Sequence, residues 1–282
     1  MDEPPPLLAR SDPAAAACGL TAIVTGAGPR VVLVHGALGD YRQWAPIAGQ
    51  LQARYRVVDI SRRYHWPNAA PSPDAPYSYE SHRDDLLAYL RASGGPVHLV
   101  GHSYGAGIVL LAALREPRAM RSLMLIEPPF GSLLPDTAPD LEDELADRLS
   151  TIATVQALAR NGDADGASRL LIEWAQGGPG GFAALGPDIQ RALLENAATI
   201  GPTYATAPPA VSCDALRHLR MPTLVVNGER TRRFYRAVGD RAAACIPGAR
   251  RARIPQAGHM AIVERPEDTA ALMMTFLAEQ AP

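Results

Sequence analysis

The sharpest chemical signal in the sequence is Gly-His-Ser-Tyr-Gly at residues 101–105. A short apolar run ends just before it at Val100, and a helical pattern follows from Ala106 to Leu114. Glycines two positions either side of Ser103 permit the sharp strand-to-helix turn that a nucleophile elbow requires. The motif therefore predicts that Ser103 presents its hydroxyl at a sheet edge as a nucleophile. The alternative is a glycine-rich turn whose serine does no chemistry.

A serine hydroxyl needs a neighbouring base to become a nucleophile, and His259 is the best-placed histidine for that role. It lies in a glycine-containing loop between the last apolar strand, 252–254, and the terminal helix. In a parallel sheet this loop emerges at the carboxyl edge, where Ser103 is also expected. The other histidines are interpreted as structural or solvated. They are His35, His98 and His102 in strands or turns, and His65, His82 and His218 on surface or insertion segments.

The turn that ends the apolar run 31–34 belongs to the same edge of the predicted sheet. Its small residues can aim backbone N–H groups at the oxyanion that develops when a carbonyl group is attacked. We expect Ala37 and Tyr104 to supply the two N–H donors of this oxyanion hole. The side chain of His35 is expected to hold the turn by hydrogen bonds.

Short apolar runs alternate with helix-length segments along most of the chain. This alternation is typical of an α/β fold with a mostly parallel central sheet and helices on both faces. The apolar runs, interpreted as buried strands, lie at about 23–24, 30–34, 56–60, 97–100, 123–126, 223–226 and 252–254. The helical segments lie at about 41–53, 79–92 and 104–116, and from Pro266 to the C-terminus.

One stretch, from about Gly131 to His218, contains no convincing strand. Nearly ninety residues are too many for a plain loop inside a compact domain. The helical patterns within it lie at 141–158, 167–174 and 189–200. We interpret the stretch as a helical lid, residues 131–218, inserted into a core formed by residues 1–130 and 219–282.

The composition excludes several kinds of function. All 27 residues of the Lys+Arg total are arginine, so there is no lysine for a Schiff base or a nucleotide P-loop. The net charge of −2 leaves no broad basic surface for nucleic acid or an anionic membrane. No apolar run reaches the roughly 20 residues that span a bilayer, and the N-terminus lacks the pattern of a secretory signal. These features predict a cytoplasmic protein.

The remaining segments give weaker expectations. Residues 1–18 are rich in proline and alanine and are expected to be loosely packed. The three cysteines, Cys18, Cys213 and Cys245, include no close-spaced pair and are expected to be small, buried or partly buried thiols. No His-Glu-x-x-His or paired-cysteine spacing indicates a metal site.

Together these features resemble the α/β-hydrolase superfamily, over essentially the whole chain. The Val-Leu-Val-His-Gly run at 32–36, the elbow at Ser103, the insertion after 123–126 and the Gly258-His259 pair occur in the order that this family uses. The resemblance implies an α/β-hydrolase fold, a serine hydrolase activity and a carboxylate that orients His259.

The position of that carboxylate departs from the common pattern of the family. Many members place it three residues after the glycine that ends the strand at 223–226, but this position is Thr231 here. Glu229, near the usual loop, and Glu127, which ends the strand after the elbow helix, compete for the role. The sequence is similar to the zearalenone lactonase type, in which a glutamate at the second place completes the triad. That type also carries a Thr-Arg-Arg-Phe run in the later loop, as residues 231–234 do here, and the resemblance favours Glu127.

The expected reaction is hydrolysis of a carboxylic ester or lactone of a small to medium apolar substrate. Ser103 forms an acyl intermediate, His259 transfers its proton and Glu127 orients the histidine. Water completes the reaction, so no cofactor is expected. The expected partner is the small-molecule substrate, with no nucleic acid and no membrane, and a homodimer is compatible with the sequence.

Three alternatives stay open at this point. The same residues could cleave a carbon–carbon bond in a diketone, or transfer an acyl group to an alcohol in place of water. The chain could also be a ligand-binding receptor that keeps the hydrolase fold and turns over little or no substrate. Epoxide and haloalkane hydrolases of this fold need a carboxylate nucleophile, and Ser103 argues against both.

Overall fold

The computed structural model describes residues 10–72, 74–135 and 139–280. Its eight strands are β1 (Arg10–Ser11), β2 (Thr21–Thr25), β3 (Arg30–Val34), β4 (Arg56–Ser61), β5 (Val97–His102), β6 (Met120–Ile126), β7 (Thr223–Gly228) and β8 (Arg250–Ile254). They form one sheet in the order β1-β2-β4-β3-β5-β6-β7-β8. The pairs β1–β2 and β2–β4 are antiparallel, and the other neighbouring pairs are parallel.

Helices follow most of the strands. They are α1 (Pro13–Ala16), α2 (Ala45–Leu51), α3 (Tyr79–Ser93), α4 (Tyr104–Arg115), α5 (Glu142–Arg160), α6 (Ala164–Ala175), α7 (Pro187–Glu195), α8 (Ile200–Thr203), α9 (Cys213–Leu216), α10 (Arg233–Cys245), α11 (Ala261–Glu264) and α12 (Pro266–Ala278). Short 3₁₀ helices lie at Tyr41–Trp44, Pro117–Ala119, Gly131–Leu133, Pro139–Leu141 and Ala197–Thr199. None of the described helices combines the length and the apolar character that crossing a membrane requires.

The sheet is apolar on both faces because helices cover both of them. Helices α3, α4 and α10 pack on one face, where Leu86, Ile108 and Val238 join an apolar cluster with strand residues. Helices α2 and α12 cover the other face, where Leu51 and Phe276 pack. Strand β3 contributes alternate residues to the two clusters, which is why its sequence is apolar throughout. The predicted sheet, mostly parallel with helices on both faces, is confirmed.

Between β6 and β7, the described residues form helices and no strand. Helices α5 to α8 share an apolar cluster that includes Val155, Ile172 and Leu193. Leu38 and Met260, which lie in loops at the carboxyl edge of the sheet, belong to the same cluster. The inserted helices therefore pack directly onto the edge where the strands β3 and β8 end.

The helix expected over 189–200 differs from the one observed. Helix α7 ends at Glu195, and a 3₁₀ turn separates it from α8. The break lies at Asn196, whose buried side chain donates to Oδ2 of Asp40 at 2.8 Å and accepts from the backbone N–H of Trp66 at 2.7 Å. These contacts to the core fix the end of α7, and a pattern within the helix cannot reveal them.

The N-terminal segment contains a strand and a helix that the sequence did not predict, although Ala15 is the only buried residue among the described residues 10–18, and residues 1–9 lie outside the described part. Residues 10 and 11 form the edge strand β1, in which Arg10 pairs with Val24 of β2. Helix α1 follows, and its Ala15 is fully buried. The segment packs because its small alanine side chains fit between α3 and the sheet.

Two further expectations are also wrong. His65, in the loop after β4, and His82, on α3, are buried rather than on the surface, because their rings pack against each other and against Tyr77. His65 bonds through Nδ1 to the carbonyl oxygen of Gly39 and through Nε2 to the Tyr77 hydroxyl. Two of the cysteines are not free thiols: Cys213 and Cys245 form a disulfide that joins the start of α9 to the end of α10, across 32 residues of sequence.

Asp59 in β4 is a buried acid without a full set of partners. Its Oδ1 atom has no hydrogen-bond partner within the described part of the chain. Burial raises the pKa of Asp59 to about 8, because the charged carboxylate loses its hydration. A carboxyl group whose pKa is raised by folding favours the folded state at low pH. That contribution is lost as the pH rises from about 4, the ordinary aspartate pKa, to about 8.

We therefore predict that Asp59→Asn stabilises the protein at pH 8 by a few kcal/mol and changes stability little at pH 4. The amide keeps the size of the side chain, and burying it requires neither the uptake of a proton nor the burial of a charge. Urea unfolding at both pH values measures the difference. Asp84→Asn, a change at an exposed aspartate of α3, is the control and should leave the pH dependence unaltered. A variant that is less stable than the parent at pH 8 would contradict the assignment.

Candidate active site

Ser103 occupies the sharp turn between β5 and α4, with backbone angles φ 52° and ψ −119°. These angles are strained for a residue with a side chain. The flanking glycines are required by close contacts. A Cβ on Gly101 would lie 2.4 Å from the carbonyl oxygen of Gly105, and a Cβ on Gly105 would lie 2.3 Å from that of Val34. Ser103 is thereby held at the carboxyl edge of the sheet.

The imidazole ring of His259 lies between Ser103 and Glu127. Its Nε2 is 2.9 Å from Oγ of Ser103, and its Nδ1 is 3.2 Å from Oε2 of Glu127. Tyr235 stacks on the ring, with centroids 4.0 Å apart. Because a carboxylate can only accept at Nδ1, Nε2 is the nitrogen that can take a proton from the serine hydroxyl.

His102 supports the loop that carries His259. Burial, together with the neighbouring His259, lowers the pKa of His102 to about 3, so this side chain is neutral near pH 7. Its Nε2 lies 2.8 Å from the backbone carbonyl oxygen of His259 and donates a hydrogen bond to it. His102, which precedes Ser103 in the chain, thus fixes the backbone of His259.

Glu127 follows β6 and is completely buried, with a φ of 56°. Its Oε1 accepts from the backbone N–H of Gly228 at 2.7 Å and from the side-chain amide of Asn227 at 3.1 Å. Its Oε2 accepts from the Thr231 hydroxyl at 2.6 Å and faces His259. Four donors thus surround a carboxylate that has left water, and they compensate for the cost of burying its charge.

Glu229 points away from this centre. It is exposed, and its Oε2 accepts from the backbone N–H of Gln256 at 2.8 Å. The structure therefore brings Glu127, rather than Glu229, to His259. Thr231, to which the sequence assigns no role, contacts the carboxylate as a hydrogen-bond donor.

The residues that follow Thr231 connect the acid to the inserted helices. Glu144, near the start of α5, is almost fully buried and faces the start of α10. Its carboxylate accepts from Nε of Arg232 at 3.3 Å, from Nε of Arg233 at 3.1 Å and from the backbone N–H of Phe234 at 2.8 Å. The Thr-Arg-Arg-Phe run, residues 231–234, thus contacts Glu127 with its first residue and α5 with the other three.

The turn after β3 lies on the other side of the serine. Gly36 and Ala37 line the space above Ser103. Tyr104 is the first residue of α4, so its backbone N–H has no partner within the helix. The two residues expected to supply N–H donors, Ala37 and Tyr104, therefore border the serine from two sides.

The space above Ser103 is small, although Ser103 itself is only half-buried. It has a volume of about 20 Å³, enough for roughly one water molecule. Leu171 and Ile172 of α6, together with Tyr204, line it from the inserted helices. Apart from Ser103 and the two histidines, its polar side chains are those of Gln43, Tyr204 and Tyr235, and the Gln43 Oε1 atom is buried without a partner in the described part of the chain. No group of three or more metal-binding side chains occurs among the described residues.

Comparison of the chain with known proteins identifies its family. The family model described as "alpha/beta hydrolase fold" matches residues 29–266. The chain belongs to the α/β-hydrolase family. Solved structures of α/β-hydrolase enzymes agree in fold: the carboxylesterase CesB from Bacillus subtilis superposes with a TM-score of 0.74 at 20% identity, covering 97% of this chain and 92% of that one. An esterase from Thermogutta terrifontis gives a TM-score of 0.73 at 23% identity and covers 93% and 94%.

Curated relatives are similar to this α/β-hydrolase over part of their length. Polyketide synthase ThaQ of Burkholderia thailandensis is 31% identical over 266 residues, which are 90% of this chain and 12% of that protein. The 2-(acetamidomethylene)succinate hydrolase of Mesorhizobium japonicum is 28% identical over 125 residues, 44% of this chain and 41% of that enzyme. The matches thus span well under two thirds of these proteins.

Several residues around the site escape sequence reasoning. Asn227 and Thr231 bind the carboxylate of Glu127, and Tyr235 stacks on His259, yet none belongs to a motif that the elbow predicts. Thr231 stands where many family members have the acid that orients the histidine. This position in the sequence is the one signal that could have suggested its contact with Glu127. Gln43 lies in a 3₁₀ turn, and only its position beside the serine reveals it.

The contacts of the two glutamates generate a sharp test. We predict that Glu127→Gln lowers turnover by roughly 10⁴-fold with little change in KM, because an amide can present a donor to Nδ1 and favour the wrong imidazole tautomer. Glu229→Gln, the matched control, should lose less than about tenfold. Steady-state kinetics at one pH, with folding checked by circular dichroism, compares them. The reverse ranking would move the acid to Glu229.

Proposed function

We propose that this α/β-hydrolase is a serine hydrolase that cleaves a carboxylic ester or lactone of a small to medium apolar substrate through an acyl-serine intermediate. The observation that supports this most strongly is the continuous hydrogen-bonded chain from Ser103 through His259 to Glu127. A binding protein would have no need for a strained serine in contact with a base that is itself oriented by a buried carboxylate.

In the proposed reaction, Oγ of Ser103 attacks the carbonyl carbon while Nε2 of His259 accepts the hydroxyl proton. The carbonyl π pair moves to the oxygen, and the N–H groups of Ala37 and Tyr104 stabilise the oxyanion. The oxyanion then collapses, the bond to the alkoxide breaks, and His259 returns the proton to the leaving oxygen. Water then attacks the acyl carbon while the same histidine takes its proton; the bond from that carbon to Oγ of Ser103 breaks, His259 returns the proton to Oγ, and the acid is released. Glu127 stabilises the imidazolium in both halves.

We propose further that residues 131–218 act as a lid over this site. Leu171 and Ile172 of α6 support the proposal, since they line the space above Ser103, which has room for about one water molecule. A substrate therefore has to displace these side chains. Their apolar surface favours an apolar acyl or alcohol group, and Gln43, whose Oε1 atom has no partner among the described residues, offers a polar contact. The lactone form of the proposal rests on the resemblance carried by Glu127 and residues 231–234.

A second candidate is favoured by the similarity to polyketide synthase ThaQ, which extends over 90% of this chain. The substrate would then be an acyl chain made by such a synthase, and the acyl-serine would pass to an alcohol or to water. Mass spectrometry of products formed with and without an added alcohol distinguishes transfer from hydrolysis. Carbon–carbon bond cleavage of a diketone uses the same residues, and a receptor would bind these compounds without turnover.

We predict that a fluorophosphonate probe labels Ser103, located by peptide mass spectrometry, and that the protein releases p-nitrophenol rapidly from p-nitrophenyl esters. Ser103→Ala should lose labelling and about 10⁴-fold or more of turnover while keeping its melting temperature, because the serine hydroxyl packs against little. Ligand-induced stabilisation without turnover in the parent protein would favour the receptor. Near-normal turnover in the variant would contradict the nucleophile assignment.

The lid proposal gives its own prediction. Leu171→Ala should raise the ratio of kcat/KM for p-nitrophenyl octanoate over acetate by roughly tenfold, because removing a lining side chain enlarges the closed space. Leu149→Ala is the matched control: Leu149 lies on α5 in the same insertion, is 65% exposed and does not line the site. Equal ratios in both variants and the parent would show that α6 does not limit the substrate.

A further inference from the structure

Arg62 is a buried cation next to the turn that borders the serine. It follows β4 directly, and it is 2% exposed. Its Nη2 donates to the backbone carbonyl oxygen of Gly36 at 2.9 Å. Its Nε and Nη1 have no hydrogen-bond partner in the described part of the chain, so no described carboxylate pairs with them. A buried guanidinium that contacts a carbonyl group instead of an acid calls for a physical reason, since burying a charge is costly.

The contact with Gly36 fixes the direction of a neighbouring N–H group. The Gly36 carbonyl oxygen also accepts from Nδ1 of His35 at 2.9 Å and from the backbone N–H of Gly39 at 3.3 Å. In a trans peptide the C=O and N–H bonds point in opposite directions. The N–H of Ala37 belongs to the same peptide unit as this carbonyl group. It therefore points away from Arg62, and Ala37 lines the space above Ser103.

Arg62 also contacts the residue that carries the second expected donor. Its Cζ atom lies 4.8 Å from the centre of the Tyr104 ring. The Tyr104 ring also stacks against Tyr79, with centroids 3.9 Å apart. One guanidinium thus contacts the peptide unit that carries the Ala37 N–H and lies over the ring of Tyr104, the residue whose backbone N–H is the other proposed donor.

The groups that face Arg62 leave its charge uncompensated. The rings nearest to it include His35, His65 and His82, and burial first and the charge of Arg62 second lower the pKa of each below its ordinary value. These rings are therefore neutral near pH 7. A positive charge at the carbonyl end of the Gly36–Ala37 peptide strengthens its N–H as a donor, because hydrogen bonds in series polarise one another in a medium of low dielectric constant.

We propose that Arg62 is a positioning residue for the oxyanion hole: it orients and polarises the Gly36–Ala37 peptide so that the Ala37 N–H meets the oxyanion formed at Ser103. The proposal rests on the hydrolase function proposed above. Arg62 does not contact the substrate in this account, since the Gly36–Ala37 peptide stands between them. Its contribution should therefore appear in the stabilisation of the oxyanion and not in the binding of the substrate.

The test compares Arg62→Met and Arg62→Lys with the parent protein on p-nitrophenyl butyrate. A trifluoromethyl ketone, which forms a stable oxyanion adduct with an active serine, is the second probe. We expect Arg62→Met to lower kcat by about 10- to 100-fold and to change KM less than threefold. This fall in kcat is no larger than the fall caused by removing a direct donor from an oxyanion hole. The inhibition constant for the ketone should rise by the same factor. Arg62→Lys should recover part of both losses, because it restores the charge.

Arg63→Met is the matched control. Arg63 is the next residue, but it pairs with the Asp85 carboxylate of α3, so its loss should lower the melting temperature and leave kcat nearly unchanged. If Arg62→Met does not fold, Arg62→Lys and Arg62→Gln carry the comparison. A kcat within threefold of the parent, a change in KM alone, or a lower kcat with unchanged ketone affinity would overturn the proposal. Absence of turnover in the parent would instead refute the hydrolase function.

Discussion

The buried carboxylate of Glu127 imposes the strictest requirement on this structure. An ion that has lost its water must find donors for its lone pairs, or the fold loses several kcal/mol. The donors come from separate parts of the chain: the end of β7, the loop that follows it, and the loop after β8 that carries His259. All of these segments have to meet at Glu127 for the carboxylate to receive its hydrogen bonds. Burying this one charge therefore constrains the positions of several loops together.

Strand order makes this convergence feasible. The parallel strands β3, β5, β6, β7 and β8 are consecutive neighbours in the sheet, and all of them end at one edge. In that order they supply the Gly36–Ala37 turn, the serine, the acid, the donors to the acid and the histidine. Neighbouring strands lie roughly 4.8 Å apart, so Ser103 and Glu127 are adjacent. The loop after β8 must cross back over β7 to insert His259 between them, and Tyr235 and His102 hold it there.

Local patterns were sufficient for seven of the eight strands in the described part of the chain, the turn at Ser103 and the loop of His259, because each depends on residues that are close in sequence. The choice between Glu127 and Glu229 needed a family resemblance, because both follow strands that end at one edge. What sequence reasoning could not supply are contacts between distant segments. The disulfide between Cys213 and Cys245, the burial of His65 and the break at Asn196 all depend on which surfaces meet after the sheet has formed.

The run 231–234 has a mechanical consequence. Three of its residues hold the carboxylate of Glu144, so swinging the start of α5 away from the sheet would break three charge-assisted contacts together. The apolar contacts of α6 above Ser103 are individually weaker and have no such anchor at Leu171 and Ile172. Polar contacts also anchor the end of α7, where Asn196 binds Asp40 and Trp66, and the end of α6, where Gln176 accepts from the backbone N–H of Met260. The stretch of α6 above Ser103 is thus held by packing between fixed ends, so a substrate would enter by shifting individual side chains while the insertion as a whole stays in place.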